Sequence, residues 1–125
     1  MSSTLPRIEQ NGILLDYDNT VRVLTISGTV DLHKNDDLIQ NYLAQVHSAM
    51  IESSYSNLTL DITQLKFLNS TAIAQIIDWI LSVEMSKKED QYHITIKYSS
   101  QYLWQESSVS TFVSLNDSIV SKERC

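Results

Sequence analysis

Apolar residues recur along this chain in two rhythms, one of period two and one of three to four, and the rhythm changes several times. Residues 1–11 are polar and read as a loose N-terminal segment. Ile13, Leu14 and Leu15 open a short strand, and Asp16-Tyr17-Asp18-Asn19 reads as a turn because Asp and Asn tolerate left-handed backbone. Val21, Val23, Leu24 and Ile26 form a run rich in β-branched residues that ends at Gly28, so the two segments predict a hairpin. A helix is expected from about Asn35, a favourable N-cap, with Asp36 and Asp37 at the positive end of its dipole. Leu38, Ile39, Tyr42, Leu43, Val46, Ala49 and Met50 then follow helical spacing. Leu58, Leu60 and Ile62 alternate as a strand, with Leu65, Phe67 and Leu68 after them.

A second helix opens at Asn69-Ser70-Thr71, its stripe formed by Ile73, Ile76, Ile77, Ile80 and Leu81. After a charged loop at Lys87-Lys88-Glu89-Asp90, Tyr92, Ile94, Ile96 and Tyr98 alternate as another strand. Val109, Phe112, Val113 and Leu115 suggest a last short helix, and Ile119-Val120 either packs or frays. The order β-β-α-β-α-β-α implies an α/β domain with a mixed sheet and helices packed against it.

Composition narrows the function. A chain of 125 residues, 42% apolar, is the size of one domain with a real core. No run approaches the roughly 18–20 apolar residues of a membrane span, and the first residues lack the basic start and apolar stretch of a signal peptide, so a cytoplasmic location is expected. The net charge of −6, without a basic stripe, argues against nucleic-acid binding. With two glycines and one proline there is no phosphate-cradling glycine loop and no evident linker. The single cysteine, Cys125, forms no internal disulfide.

Two segments together carry a resemblance. Val23-Leu24-Thr25-Ile26-Ser27-Gly28-Thr29-Val30-Asp31 resembles the strand of STAS domains that ends in Gly-x-Leu-Asp. The segment running from Leu60-Asp61-Ile62 through Leu68-Asn69-Ser70-Thr71 resembles that family's strand–loop–helix unit, in which an Asp usually precedes two Ser residues and a Gly. With the element order, the resemblance covers residues 12–120 as one STAS-like domain, leaving 121–125 as a C-terminal tail. It implies a non-enzymatic bacterial regulator like the anti-sigma factor antagonists, acting in signal transduction and transcription regulation by partner switching. It implies as partners a serine kinase of the anti-sigma-like ATPase type and a PP2C-like phosphatase, and leaves room for a homo-oligomer. It calls for no cofactor and no metal. Asn69 replaces the common Asp and Ala72 the common Gly, which resembles the branch of SiaC-like regulatory phosphoproteins. The common pattern makes Thr71 the phosphoacceptor, the Asn-containing branch makes it Ser70; both are candidates. Asn69, Ala72, Asp31 and Trp79 are the expected partner-binding residues, Trp79 because tryptophans on a helix shoulder often anchor interfaces. Trp104 reads either way.

Physical chemistry makes a switch at this point reasonable. A helix N-terminus offers unpaired amides and partial positive charge, so a phosphate is tolerated there. It adds about −1.5 to −2 charges to a docking surface, and a partner built for a neutral hydroxyl meets repulsion and a desolvation cost. The plainer alternative is that Asn69, Ser70 or Thr71 simply caps the helix. Two other functions compete: a STAS-type accessory subunit of a transport complex, and a haloacid-dehalogenase-type phosphatase. For the latter, Asp16-x-Asp18-x-Thr20 supplies the nucleophile and acid/base, with Glu89-Asp90 as a weak downstream acidic pair. The strand that resumes at Val21 favours a hairpin turn there instead. A calcium loop fails because Val21 and Ser27 stand where Gly and Glu are required. His33 with Asp31, Asp36 and Asp37 reads as a polar loop rather than a metal site, and neither His47 nor His93 has a nucleophile at defined spacing.

Overall fold

Alternation along the strands decides which face of the sheet is dry. In β2 (Ile13–Asp18) residues 13, 15 and 17 are buried; in β3 (Val23–Val30), β4 (Asn57–Asp61) and β6 (His93–Tyr98) Leu24, Ile26, Leu58, Leu60, Ile94 and Ile96 continue the same face. All this is seen in a computed structural model that describes residues 5–125. Against that face lie α1 (Leu38–Glu52), α2 (Ser70–Met85) and α3 (Leu103–Leu115). The strand order is β1-β2-β3-β4-β6-β7, with β1 (Ile8–Gln10) and β7 (Val120–Arg124) at the edges; β5 (Leu65–Leu68) extends the end of β3. β1 and β2 pair antiparallel, as do β2 and β3, while β3–β4, β3–β5, β4–β6 and β6–β7 are parallel. A single 3₁₀ turn, Lys88–Asp90, joins α2 to β6. Among the described residues no helix is long and apolar enough to cross a membrane.

The mixed sheet, the hairpin and the three helices agree with the sequence pattern, and several boundaries move. Residues 1–4 lie outside the described part, but Ile8–Gln10 of the expected loose segment are a strand, paired through Ile8 with Leu15. The turn expected at Asp16 to Asn19 falls at residues 19–22, because Asp16 and Asp18 continue β2 opposite Thr25 and Val23. α1 begins at Leu38 rather than near Asn35. α3 starts at Leu103, well before Val109, and the expected tail of 121–125 forms most of β7, aligned from Ile94↔Val120 to Tyr98↔Arg124.

Trp79, placed on the shoulder of α2 by its isoleucine stripe, is only 4% exposed. The buried positions of α2 are Ala72, Gln75, Ile76, Trp79, Ile80 and Val83, a seam of three and four spacing that leaves Ile73 and Ile77 as half-buried flanks. Burial leaves the indole N–H satisfied, since Nε1 donates to the Tyr92 hydroxyl at 2.9 Å.

Candidate functional site

The Asn69-Ser70-Thr71 segment is held in place by the chain on both sides of it. β5 buries Leu65 and Leu68 and delivers an extended Asn69 (φ −82°, ψ 174°) to the N-cap of α2. Every polar group of Asn69 is used. Its Oδ1 accepts from the Ala72 amide at 3.1 Å, its carbonyl accepts from Ile73, and its own amide donates to the Val30 carbonyl at 3.0 Å. Its Nδ2 donates to Asp31 Oδ1 at 3.0 Å and to the Leu32 carbonyl at 2.8 Å. The two sequence segments of the resemblance therefore meet at one side chain. An amide suits this point because it offers both an acceptor for the helix and a donor for the Asp31 carboxylate; a carboxylate at 69 keeps the first and loses the second.

The end of β3 is shaped by Gly28. Its φ of +91° is a left-handed value that side chains disfavour, and a Cβ there meets the carbonyl oxygen of Gly12 head-on. That close approach lets Thr29 donate to Gly12 at 3.0 Å while Gly28 donates to Gln64 at 3.1 Å, so the β1–β2 turn, β3 and the connection before β5 are locked together.

Ser70 is exposed and Thr71 half-buried, and among the described residues neither hydroxyl makes a hydrogen bond. Helix geometry leaves the first amides of α2 without intrahelical partners, and only that of Ala72 is taken by the cap side chain. Of the expected partner contacts, Asp31 is exposed and Asn69 half-buried, both beside these hydroxyls. The other two differ in placement: the Ala72 side chain is fully buried under the first turn, and Trp79 lies in the core at 4% exposure.

Two glutamines that the sequence pattern passed over hold the site from behind. Gln105 of α3 is fully buried; its Nε2 donates to the carbonyls of Ile62 (2.8 Å) and Leu65 (2.7 Å) and its Oε1 accepts from the Ser99 amide (2.8 Å). Trp104 Nε1 donates to the Lys66 carbonyl at 2.9 Å, so the start of α3 pins the strand that feeds α2 and Trp104 resolves as a structural clasp. Gln75, on the buried face of α2, bonds the backbone at the start of α1. A polar residue inside an apolar stripe was the available signal for both.

Behind α1 and α2 lies a hydrogen-bonded chain. Trp79 Nε1 donates to the Tyr92 hydroxyl at 2.9 Å, and that hydroxyl shares a hydrogen bond of 2.8 Å with His47 Nδ1. Burial pushes the His47 pKa below the ordinary value, with Asp90 opposing, and burial raises that of Tyr92 far above a free tyrosine.

The competing chemistry does not assemble. Asp16 and Asp18 lie on β2 of a hairpin, not on a central strand leading into a helix, and the segment from Asp16 to Ser27 is mostly paired strand. Among the described residues no group of three or more His, Cys, Asp or Glu side chains gathers as metal ligands, and His33 is exposed. His93 bonds Ser121 Oγ at 2.8 Å on the sheet's outer face.

The chain matches no family model and no curated protein. Among solved structures it is similar to SiaC in the crystal structure of the diguanylate cyclase SiaD in complex with its activator SiaC from Pseudomonas aeruginosa. The TM-score is 0.70 at 14% sequence identity, covering 96% of this chain and 99% of that one. Identity that low speaks for the fold, which is the STAS-like mixed α/β domain expected from the sequence.

Proposed function

We propose that this domain is a non-enzymatic, cytoplasmic regulator that binds other proteins and changes partner when Ser70 or Thr71 is phosphorylated. The observation that carries this is the pair of hydroxyls at the start of α2, unbonded among the described residues, on a helix end whose N-cap bond is made by Asn69 instead. A side chain that is not needed as the cap is available for modification without dismantling the turn. Resemblance in fold to SiaC, an activator of a cyclase, supports a regulatory role over a catalytic one.

The chemistry is a simple transfer. The γ-phosphoryl group of ATP passes to the hydroxyl oxygen, the hydroxyl proton leaves to a base of the kinase, and ADP departs; a PP2C-like phosphatase returns the hydroxyl with water. The added charge, about −1.5 to −2, sits where amides of the first turn accept it and where a docked partner is repelled. The kinase is of the anti-sigma-like ATPase type and the effector is a protein, as SiaD is for SiaC.

Incubation with candidate kinases and ATP, followed by intact mass, tests the reading. A single phosphate added to the protein, and abolished by Ser70→Ala or by Thr71→Ala, is the expected result. Phosphate uptake that survives both substitutions together contradicts it. Pull-down separates the transport alternative, which requires a membrane-transporter ATPase among the captured proteins.

A further inference from the structure

The start of α1 is capped partly by its own loop, Asp36 Oδ1 accepting from the Leu38 amide at 3.0 Å, and partly by α2. Asp37, at the N-cap of α1, makes no side-chain cap bond. Instead Gln75 reaches across from α2, its Oε1 accepting from the Gln40 amide at 2.8 Å and its Nε2 donating to the Asp36 carbonyl at 2.7 Å. At the other end of the same loop, Asn69 Nδ2 holds Asp31 Oδ1 and the Leu32 carbonyl. Two side-chain amides of α2 thus grip both ends of the loop of residues 31–37. Thr71 lies between them, half-buried and one turn before Gln75 on the same face. Helix side chains lean toward the N-terminus, which for Thr71 is the end of α2 where Asn69 holds Asp31. Ser70 is exposed and about 100° further round the axis.

We infer that the loop of residues 31–37, with the first turn of α1, is a conformational readout of Thr71: a phosphate on Thr71 releases it, and a phosphate on Ser70 does not. The trigger rests on the phosphorylation reading above; the double clamp does not. A phosphate on the half-buried Thr71 faces a loop carrying Asp31, Asp36 and Asp37 against Lys34 and His33, both exposed. It competes with Asp31 for Asn69 Nδ2 and repels the carboxylate that this amide now holds. The free amides of the α2 first turn favour the phosphate, so the helix stays and the loop gives way. Gln75 grips backbone rather than side chains, so once the loop moves the Gln40 amide and the Asp36 carbonyl lose their partners together. On exposed Ser70 the phosphate is solvated and reaches partners only.

The test needs no kinase. Phosphothreonine at 71 or phosphoserine at 70 is installed in the full chain by genetic-code expansion, and amide exchange is followed residue by residue by NMR. With phosphothreonine at 71 the Gln40 amide exchanges about tenfold faster, as it does in Gln75→Ala, while phosphoserine at 70 leaves it unchanged. Gln75→Leu, which keeps a similar volume and loses both the acceptor for Gln40 and the donor to Asp36, serves as the reference if Gln75→Ala does not fold. Full protection of Gln40 with phosphothreonine at 71, or equal loosening by both modifications, overturns the inference. Failure of kinases to modify either residue counts against the phosphorylation reading alone and leaves the exchange result standing.

Discussion

Asn69 shows how much one side chain decides. Its amide is the N-cap of α2 and the tie to Asp31, two roles that require an acceptor and a donor on one short side chain. Asn69→Asp keeps the cap and sets two carboxylates face to face. We expect a loss of about 1 kcal/mol in denaturant unfolding at pH 7, recovered in part when Asp31→Asn is added, because the second change restores a donor across the pair but not the bond to the Leu32 carbonyl. His47 gives a residue-scale pH dependence. Its folded pKa is depressed by burial, so its neutral form is the one the fold accepts. That contribution is fully present above the unfolded value of about 6.5 and is lost as pH falls below it, because the unfolded chain then binds a proton that the folded chain resists. Urea titrations at neutral and mildly acidic pH should show the midpoint falling on acidification, and His47→Gln should flatten that component.

At the scale of elements, the site is a junction held by three helices. α3 pins the approach to α2 through Gln105 and Trp104, and α2 caps α1 through Gln75. Gln105→Ala removes three buried or part-buried hydrogen bonds, to the Leu65 and Ile62 carbonyls and the Ser99 amide, of which the Ile62 carbonyl keeps a second donor in the Leu65 amide; we expect it to cost about 2–4 kcal/mol, read as a lower denaturant midpoint. Why these glutamines escaped notice is physical. Periodicity marks the apolar face of a helix, and a buried polar residue shows only as a gap until its partners are known. The strands and helices with strong patterns were legible: the alternation at 92–98 became β6, and Asn69 capped α2 as its residue type implies. The weak points were those where pattern yields to pairing. Val120–Arg124 has little hydrophobic rhythm and is a strand because β6 offers it an edge, and Asp16 and Asp18 are strand residues because β3 lies opposite. Trp79 misled because the isoleucines suggested a stripe centred one residue away, while the true seam runs through Ile76 and Ile80.

Across the whole molecule, the three helices cover one face of the sheet and leave the other polar. Thr25, Thr59, Thr95 and Ser121 line that outer face with Asp16, Asp61, Lys97 and Glu123, and they are half-buried at most or exposed. The β7 edge carries Lys122, Glu123 and Arg124, charges that discourage strand-to-strand association. Lys122 also bonds Glu106 at 3.0 Å, an exposed pair of small energetic weight. Against this polar background, the start of α2 stands out as a rigidly mounted pair of hydroxyls flanked by exposed Phe67 and by Asp31. The domain is thus built to present this surface on a firm mount, the outer sheet and core staying as they are while a phosphate changes its charge and, from Thr71, the adjoining loop of residues 31–37. The most direct measurement is the affinity of the unmodified and the stoichiometrically phosphorylated protein for the partner captured with the unmodified form. The account predicts at least about tenfold weaker binding after phosphorylation at Ser70 or Thr71, with the fold retained; equal affinity of the two forms contradicts it.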